Sequence, residues 1–167
     1  GRAARMARVI DHVLALLPFE PPYMTAAGMS CDFVGHPVVA EPQATEAEKR
    51  VWRGEGPLVL ALPGSRRGEV ARLAPVIGTT LSLLKPRFPD LRVALPVVPA
   101  VRDLVLDAVQ HWPLRPRLVD EAGLKRGAFA AADVAIAASG TVSLELAAAG
   151  CPMVIAYDMH PLSLWLM

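Results

Sequence analysis

The feature that most constrains this chain is a series of short apolar runs separated by segments of helical length. Residues 57–62 read Pro-Leu-Val-Leu-Ala-Leu, and the runs at 91–95, 133–137 and 152–156 have the same character, interrupted only by Arg92 and Asp133. A strand with one wet face alternates apolar and polar side chains; one that is apolar at successive positions is covered on both faces. The segments between the runs carry apolar residues at helical spacing. Strand and helix alternating over short connections predict an α/β fold, a Rossmann-like, doubly wound parallel sheet with helices on both faces.

The same reading sets the order of elements. Residues 13–17 form a strand ending at Pro18, residues 21–27 a short helix closed by Gly28, and residues 31–34 a strand before Gly35-His36-Pro37. Composition then shifts: Glu41, Glu46, Glu48, Lys49, Arg50 and Arg53 accompany Pro42, with few large apolar groups. This reads as a linker carrying a short solvated helix, and divides the chain into 1–40, a linker at 41–56, and 57–167. Farther on, Pro75 suits the first turn of a helix running to about Lys85, with Val76, Ile77, Leu81 and Leu84 as its buried stripe. A helix at 101–109, a strand at 117–119, a helix at 121–131 and a helix at 141–149 closed by Gly150 complete the series.

Two strand-to-helix corners carry the chemistry. The run 57–62 leads into Pro63-Gly64-Ser65-Arg66-Arg67-Gly68-Glu69. Gly64 permits close backbone approach, Ser65 offers a hydroxyl, and Arg66 and Arg67 offer permanently charged forks that suit phosphate oxygens. The run ending at Ala137 breaks at Ser139-Gly140 and restarts as a helix at Thr141. Backbone N–H groups at such a start are open to a phosphate. Glu145 follows Thr141 by one helical turn, so its carboxylate lies above that opening, where it could accept hydrogen bonds from a ribose. Ligands of doubly wound sheets bind beyond the carboxyl ends of the strands, and both corners leave such ends. The candidate nucleotide-binding residues are therefore Gly64, Ser65, Arg66, Ser139, Gly140, Thr141 and Glu145. No GxGxxG or Walker A sequence is present, which disfavours NAD and P-loop ATP hydrolysis.

Composition narrows the remaining classes. The chain has 167 residues and a net charge of +1, with 5% aromatic residues. Neither bulk charge nor aromatic stacking therefore favours a nucleic-acid partner. Cys31 and Cys151 show no metal or disulfide spacing, and His12, His36, His111 and His160 are scattered, so no metal and no cofactor are expected. No uninterrupted apolar stretch reaches the ~18 residues of a membrane span. The chain begins at Gly1 as if inside a helix and stops at Met167 without a cap, and reads as a piece of a longer protein.

The residues that carry a family resemblance are Asp11-His12 with Leu17-Pro18-Phe19-Glu20, Phe33-Val34-Gly35-His36-Pro37, Leu62-Pro63-Gly64-Ser65-Arg66 with Glu69, Ala138-Ser139-Gly140-Thr141 with Glu145, and Cys151-Pro152-Met153-Val154 with Tyr157, Met159 and Pro161. In this order, over nearly the whole chain, they resemble lipid-A-disaccharide synthase. The second corner alone is also similar to other two-domain GT-B glycosyltransferases.

The resemblance implies a GT-B enzyme with two Rossmann-like domains. It joins UDP-2,3-diacylglucosamine to 2,3-diacylglucosamine 1-phosphate and releases UDP, inverts the anomeric centre and needs no metal. Residues 1–40 would close the N-terminal, acceptor-side domain, 57–167 would belong to the UDP-sugar-binding domain, and the proposed catalytic carboxylate would lie upstream of Gly1. Arg66 would stabilise the leaving diphosphate. The implied partners are a UDP-sugar lipid donor and a lipid monosaccharide acceptor, in the cytoplasm; peripheral contact with the inner membrane face and self-association stay open. A UDP-sugar epimerase and an inactive nucleotide-binding module stay open as well. The chain departs from the family at Asp158, where a basic residue is usual. A carboxylate beside phosphates would repel them, so Asp158 points away, alters donor affinity, or marks a different donor. His36 reads as a turn histidine bonded to backbone. The apolar segment 159–167 with Trp165 reads equally as a core helix or as a lipid-facing surface.

Overall fold

A computed structural model describes residues 1–158 and divides the chain after Pro42 into two compact units. In the first, α1 (Arg2–Met6) precedes β1 (His12–Ala15), α2 (Pro21–Ala26) and β2 (Ser30–Phe33). The two strands pair in parallel, His12 opposite Ser30 and Ala15 opposite Phe33. Prolines at the first two positions of α2 cost no hydrogen bond there, and Gly28 ends it at φ 94°. Beyond β2, His36 Nδ1 accepts the Val38 amide at 3.2 Å and caps a 3₁₀ turn at Pro37–Ala40, as a turn histidine is expected to do.

The second unit holds α3 (Glu46–Arg50), β3 (Leu58–Leu62), α4 (Arg67–Leu84), β4 (Arg92–Pro96), α5 (Arg102–Val109), β5 (Arg117–Val119), α6 (Ala122–Ala131), β6 (Val134–Ala138), α7 (Val142–Ala148) and β7 (Met153–Ala156). Its sheet runs β5-β4-β3-β6-β7 with every pair parallel. Every residue of β3 is buried, as its unbroken apolar sequence requires of a central strand. One face is sealed by α4 and α5, which bring Val70, Ile77, Leu81 and Val105 against Val59, Ala61, Val93 and Leu95. The other is sealed by α6 and α7, with Ala128, Phe129 and Leu146 against Leu58, Leu60 and Ala135.

The segment at 46–56 is tied into this unit. Trp52 is 3% exposed; its Nε1 donates to the Leu124 carbonyl at 3.0 Å, and the Arg117 guanidinium lies 4.3 Å from its ring centroid. Arg126 Nη2 reaches Glu48 Oε1 at 2.5 Å. Gly127 lets α6 approach the Glu48 backbone, against which a Cβ would collide. α3 therefore packs on α6, where the composition suggested only a solvated helix.

One helix differs from expectation. α4 starts at Arg67, so Pro75 sits inside it rather than in its first turn. Pro75 is exposed, and the Ala71 carbonyl it leaves without an i+4 donor can be hydrated. The early start follows from the burial of Val70, Leu73 and Ala74. It also turns Val76 outward, to 55% exposure. Gly78 meets the Trp112 ring, whose Nε1 donates to the Ala74 carbonyl at 3.0 Å.

In the sheet order the first strand of the unit, β3, lies at the centre; the chain winds outward through β4 and β5, then returns to β6 on the opposite side. The neighbours β3 and β6 thus form the topological switch point, where loops from their carboxyl ends diverge and leave a crevice. Leu62 pairs with Ala137 there, which brings the turns after both strands to the same rim.

Candidate functional site

Both corners open on this crevice. A cleft of about 370 Å³ is lined by Gly64, Ser65, Arg66, Ser139, Gly140, Thr141 and Glu145. The seven candidate nucleotide-binding residues are thus brought together, whereas Arg67, the second arginine of the first corner, is not among the lining residues. Its walls also include Pro96 at the end of β4, Val98 just beyond it, Glu69 from α4 and Lys125 from α6.

The first corner is clasped by Glu69. The Glu69 carboxylate accepts the Ser65 and Arg66 amides at 3.1 and 3.3 Å and the Arg66 guanidinium at 2.7 Å. A carboxylate in the first turn of an 18-residue helix also faces the positive end of the helix dipole. Burial works to raise the Glu69 carboxyl, but the hydrogen bonds from Arg66 and from the two amides outweigh it and hold the group below its ordinary value of 4.5. Gly64 makes the clasp possible. It lies at φ 113°, and a Cβ would come 2.6 Å from Glu69 Cβ and Oε2, a distance no packed structure holds. Arg66 itself projects outward, its side chain 83% exposed.

The second corner is open. The Ser139 amide, expected to be available for phosphate, instead donates to the Ala156 carbonyl at 3.0 Å and extends the β6–β7 ladder. Among the described residues the Gly140 and Thr141 amides make no hydrogen bond to the chain. Ser143 Oγ donates to the Gly140 carbonyl at 2.7 Å and holds the turn from inside the helix. A Cβ on Gly140 would meet nothing within 4 Å.

Glu145 lies beside the second corner, and Lys125 Nζ bonds its Oε2. Lys125 was not identifiable by sequence, because its place in the cleft depends on α6 crossing the same face as α7. Pro96 and Val98 were within reach of the carboxyl-end rule, since β4 is a neighbour of β3. Cys151 is buried and unpaired; burial and the nearby Asp133 push its thiol up, which suits a packing role. Among the described residues no group of His, Cys, Asp and Glu is arranged to hold a metal ion, and no helix is long and apolar enough to cross a membrane.

Asp158 Oδ2 lies 3.9 Å from Arg72 Nε on α4, and Asp158 is not among the residues lining the cleft. Met159, His160, Pro161 and the apolar segment to 167 lie outside the described residues.

The chain is similar to known proteins along almost its whole length. The family model described as Lipid-A-disaccharide synthetase matches residues 1–167. A lipid-A-disaccharide synthase of Ruegeria pomeroyi is 63% identical over 96% of this chain and 43% of its own length. One from Rhodospirillum centenum is 49% identical over 98% of this chain and 42% of its length, and one from Nitrobacter winogradskyi 45% over 99% and 43%. The chain thus spans about two-fifths of the length of the curated relatives it matches. With the family model matched from first residue to last, the chain belongs to the lipid-A-disaccharide synthetase family.

Proposed function

We propose that this chain supplies the UDP-sugar-binding part of an inverting glycosyltransferase. The reaction is the joining of UDP-2,3-diacylglucosamine to 2,3-diacylglucosamine 1-phosphate, yielding lipid A disaccharide 1-phosphate and UDP. The observation that carries the reading is the convergence of both corners on one cleft at the switch point of the sheet. In it, Gly64, Ser65 and Arg66 line one side of the diphosphate, Ser139, Gly140 and Thr141 line the other, and Glu145 takes the ribose hydroxyls. The Ser139 backbone amide is already used, so its contribution is the hydroxyl.

The chemistry follows from charge. Breaking the sugar–diphosphate bond builds negative charge on the departing UDP, and donors preorganised toward that charge lower the barrier. Arg66 is suited to this because it is exposed and held only by a pair at the protein surface. Such pairs contribute ~0–1 kcal/mol, so a diphosphate can win the guanidinium from Glu69. The Gly140 and Thr141 amides add donors that need no rearrangement. No metal takes part in this reading.

Residues 1–40 close the acceptor-side domain in this reading, and the catalytic carboxylate lies outside residues 1–167, so these residues alone are inactive. In this reading the enzyme works in the cytoplasm, and the acyl chains of both substrates favour peripheral contact with the inner membrane face. The test is a UDP titration and turnover assay of Arg66→Ala and Glu145→Ala in the full-length protein. Loss of UDP affinity in both supports the site; affinity and turnover equal to wild type in either removes that residue from it.

A further inference from the structure

The charged residues lining the cleft form two ion pairs, Arg66 with Glu69 and Lys125 with Glu145. The pairs differ in freedom. The Arg66 side chain is 83% exposed, whereas those of Lys125 and Glu145 are 39% and 27% exposed. Lys125 Nζ also lies 5.2 Å from the centroid of the Phe129 ring, and that ring is buried in the core beneath α6. The ammonium is therefore held between an aromatic ring and a carboxylate, with its stem against apolar surface. It is not a cation free to follow a ligand.

We infer that Lys125 is a positioning residue that acts through Glu145 and does not bind the phosphates itself. The inference rests on the nucleotide reading above. A carboxylate is useful to a ribose only if one oxygen faces the vicinal hydroxyls and its charge does not repel the diphosphate next to them. Lys125 meets both needs. By holding Oε2 it leaves Oε1 for the diol, and its positive charge cancels the negative charge that Glu145 would otherwise present to the diphosphate. Arg66 then remains the cation that moves onto the phosphates.

The test is a double-mutant cycle in the full-length protein with Lys125→Met, Glu145→Gln and the double variant. Each is titrated with UDP and with uridine, which has the ribose but no phosphate. K125M should weaken UDP about tenfold, because it leaves a partly buried carboxylate unpaired beside the diphosphate. Uridine, which has no charge to repel, should weaken less than about threefold on the same grounds. In the E145Q background, where no charge remains to be offset, K125M should change UDP affinity by less than about twofold. Equal UDP losses in both backgrounds would show direct phosphate contact and overturn the inference. No loss in either background, or equal losses for both ligands with a lowered melting temperature, would overturn it as well, the latter by showing plain structural support. A wild-type protein that binds no UDP would remove the nucleotide reading itself, and this inference with it.

Discussion

The two corners of the cleft look alike in sequence, each an apolar strand broken by a glycine and resumed as a helix, yet opposite means hold them in place. At 63–66 two backbone donors and a side chain are engaged internally: Glu69 takes the Ser65 and Arg66 amides and the Arg66 guanidinium. At 139–141 only the Ser139 amide is consumed, by the β6–β7 ladder, and the Gly140 and Thr141 amides are not bonded among the described residues. The first corner presents a side chain to a ligand, and the second presents backbone. A glycine serves shape in the first and access in the second.

The largest expected effect breaks the first corner. Gly64→Ala forces a Cβ into Glu69 and a side chain into the left-handed region, at about 1–3 kcal/mol of stability, and should abolish measurable UDP binding; a chemical denaturation curve and a UDP titration check both. Gly140→Ala is its counterpart. Because a Cβ there meets open space, stability should change by less than ~1 kcal/mol, while UDP affinity falls. A melting temperature lowered as far as by Gly64→Ala would erase the contrast.

Arg66→Ala comes next. Removing one donor aimed at developing charge typically costs on the order of 10²-fold in turnover, and steady-state rates should show it with little change in melting temperature. A loss in stability would instead mean that Arg66 serves the clasp.

Glu69→Gln sharpens the comparison through pH. The folded-state carboxyl is held below its ordinary 4.5, so its stabilisation is present above that value and is lost as pH falls through the lower, folded value. Wild type should lose part of its stability on acidification below about pH 4.5, and Glu69→Gln should lose less over the same window because it has no proton to take up. Thermal melts from pH 7 to pH 3 read this directly, with a difference of ~1 kcal/mol at neutral pH.

The smallest effect concerns Asp158. Pairing with Arg72 at 3.9 Å, with both side chains substantially exposed, is worth less than ~1 kcal/mol. Asp158→Asn should leave stability nearly unchanged and UDP affinity within about twofold. A tighter binding of tenfold or more would mean that the carboxylate faces the phosphates after all.

The sequence by itself determined the strands and both corners, because apolar runs and glycine turns are written in a few neighbouring residues. The run at 152–156, read as covered on both faces, instead forms the edge strand β7 and leaves Val154 and Ile155 exposed among the described residues. The run at 57–62 reads as a strand covered on both faces, and β3 is buried throughout. It also carried the family, whose residues recur along the chain in order. Local signals failed where packing overrode them. Pro75 suggested a helix start, but the burial of Val70, Leu73 and Ala74 outweighs one lost hydrogen bond and begins α4 at Arg67. Low apolar content suggested a solvated linker at 41–56, but Trp52 and the Glu48–Arg126 pair anchor its second half to α6. Only the tertiary structure decided which donors remain available. The Ser139 amide is used because β7 lies beside β6, and Lys125 meets Glu145 because α6 and α7 share a face. Strand order and helix side are set by cooperative burial of the whole sheet, and no window of neighbouring residues encodes them.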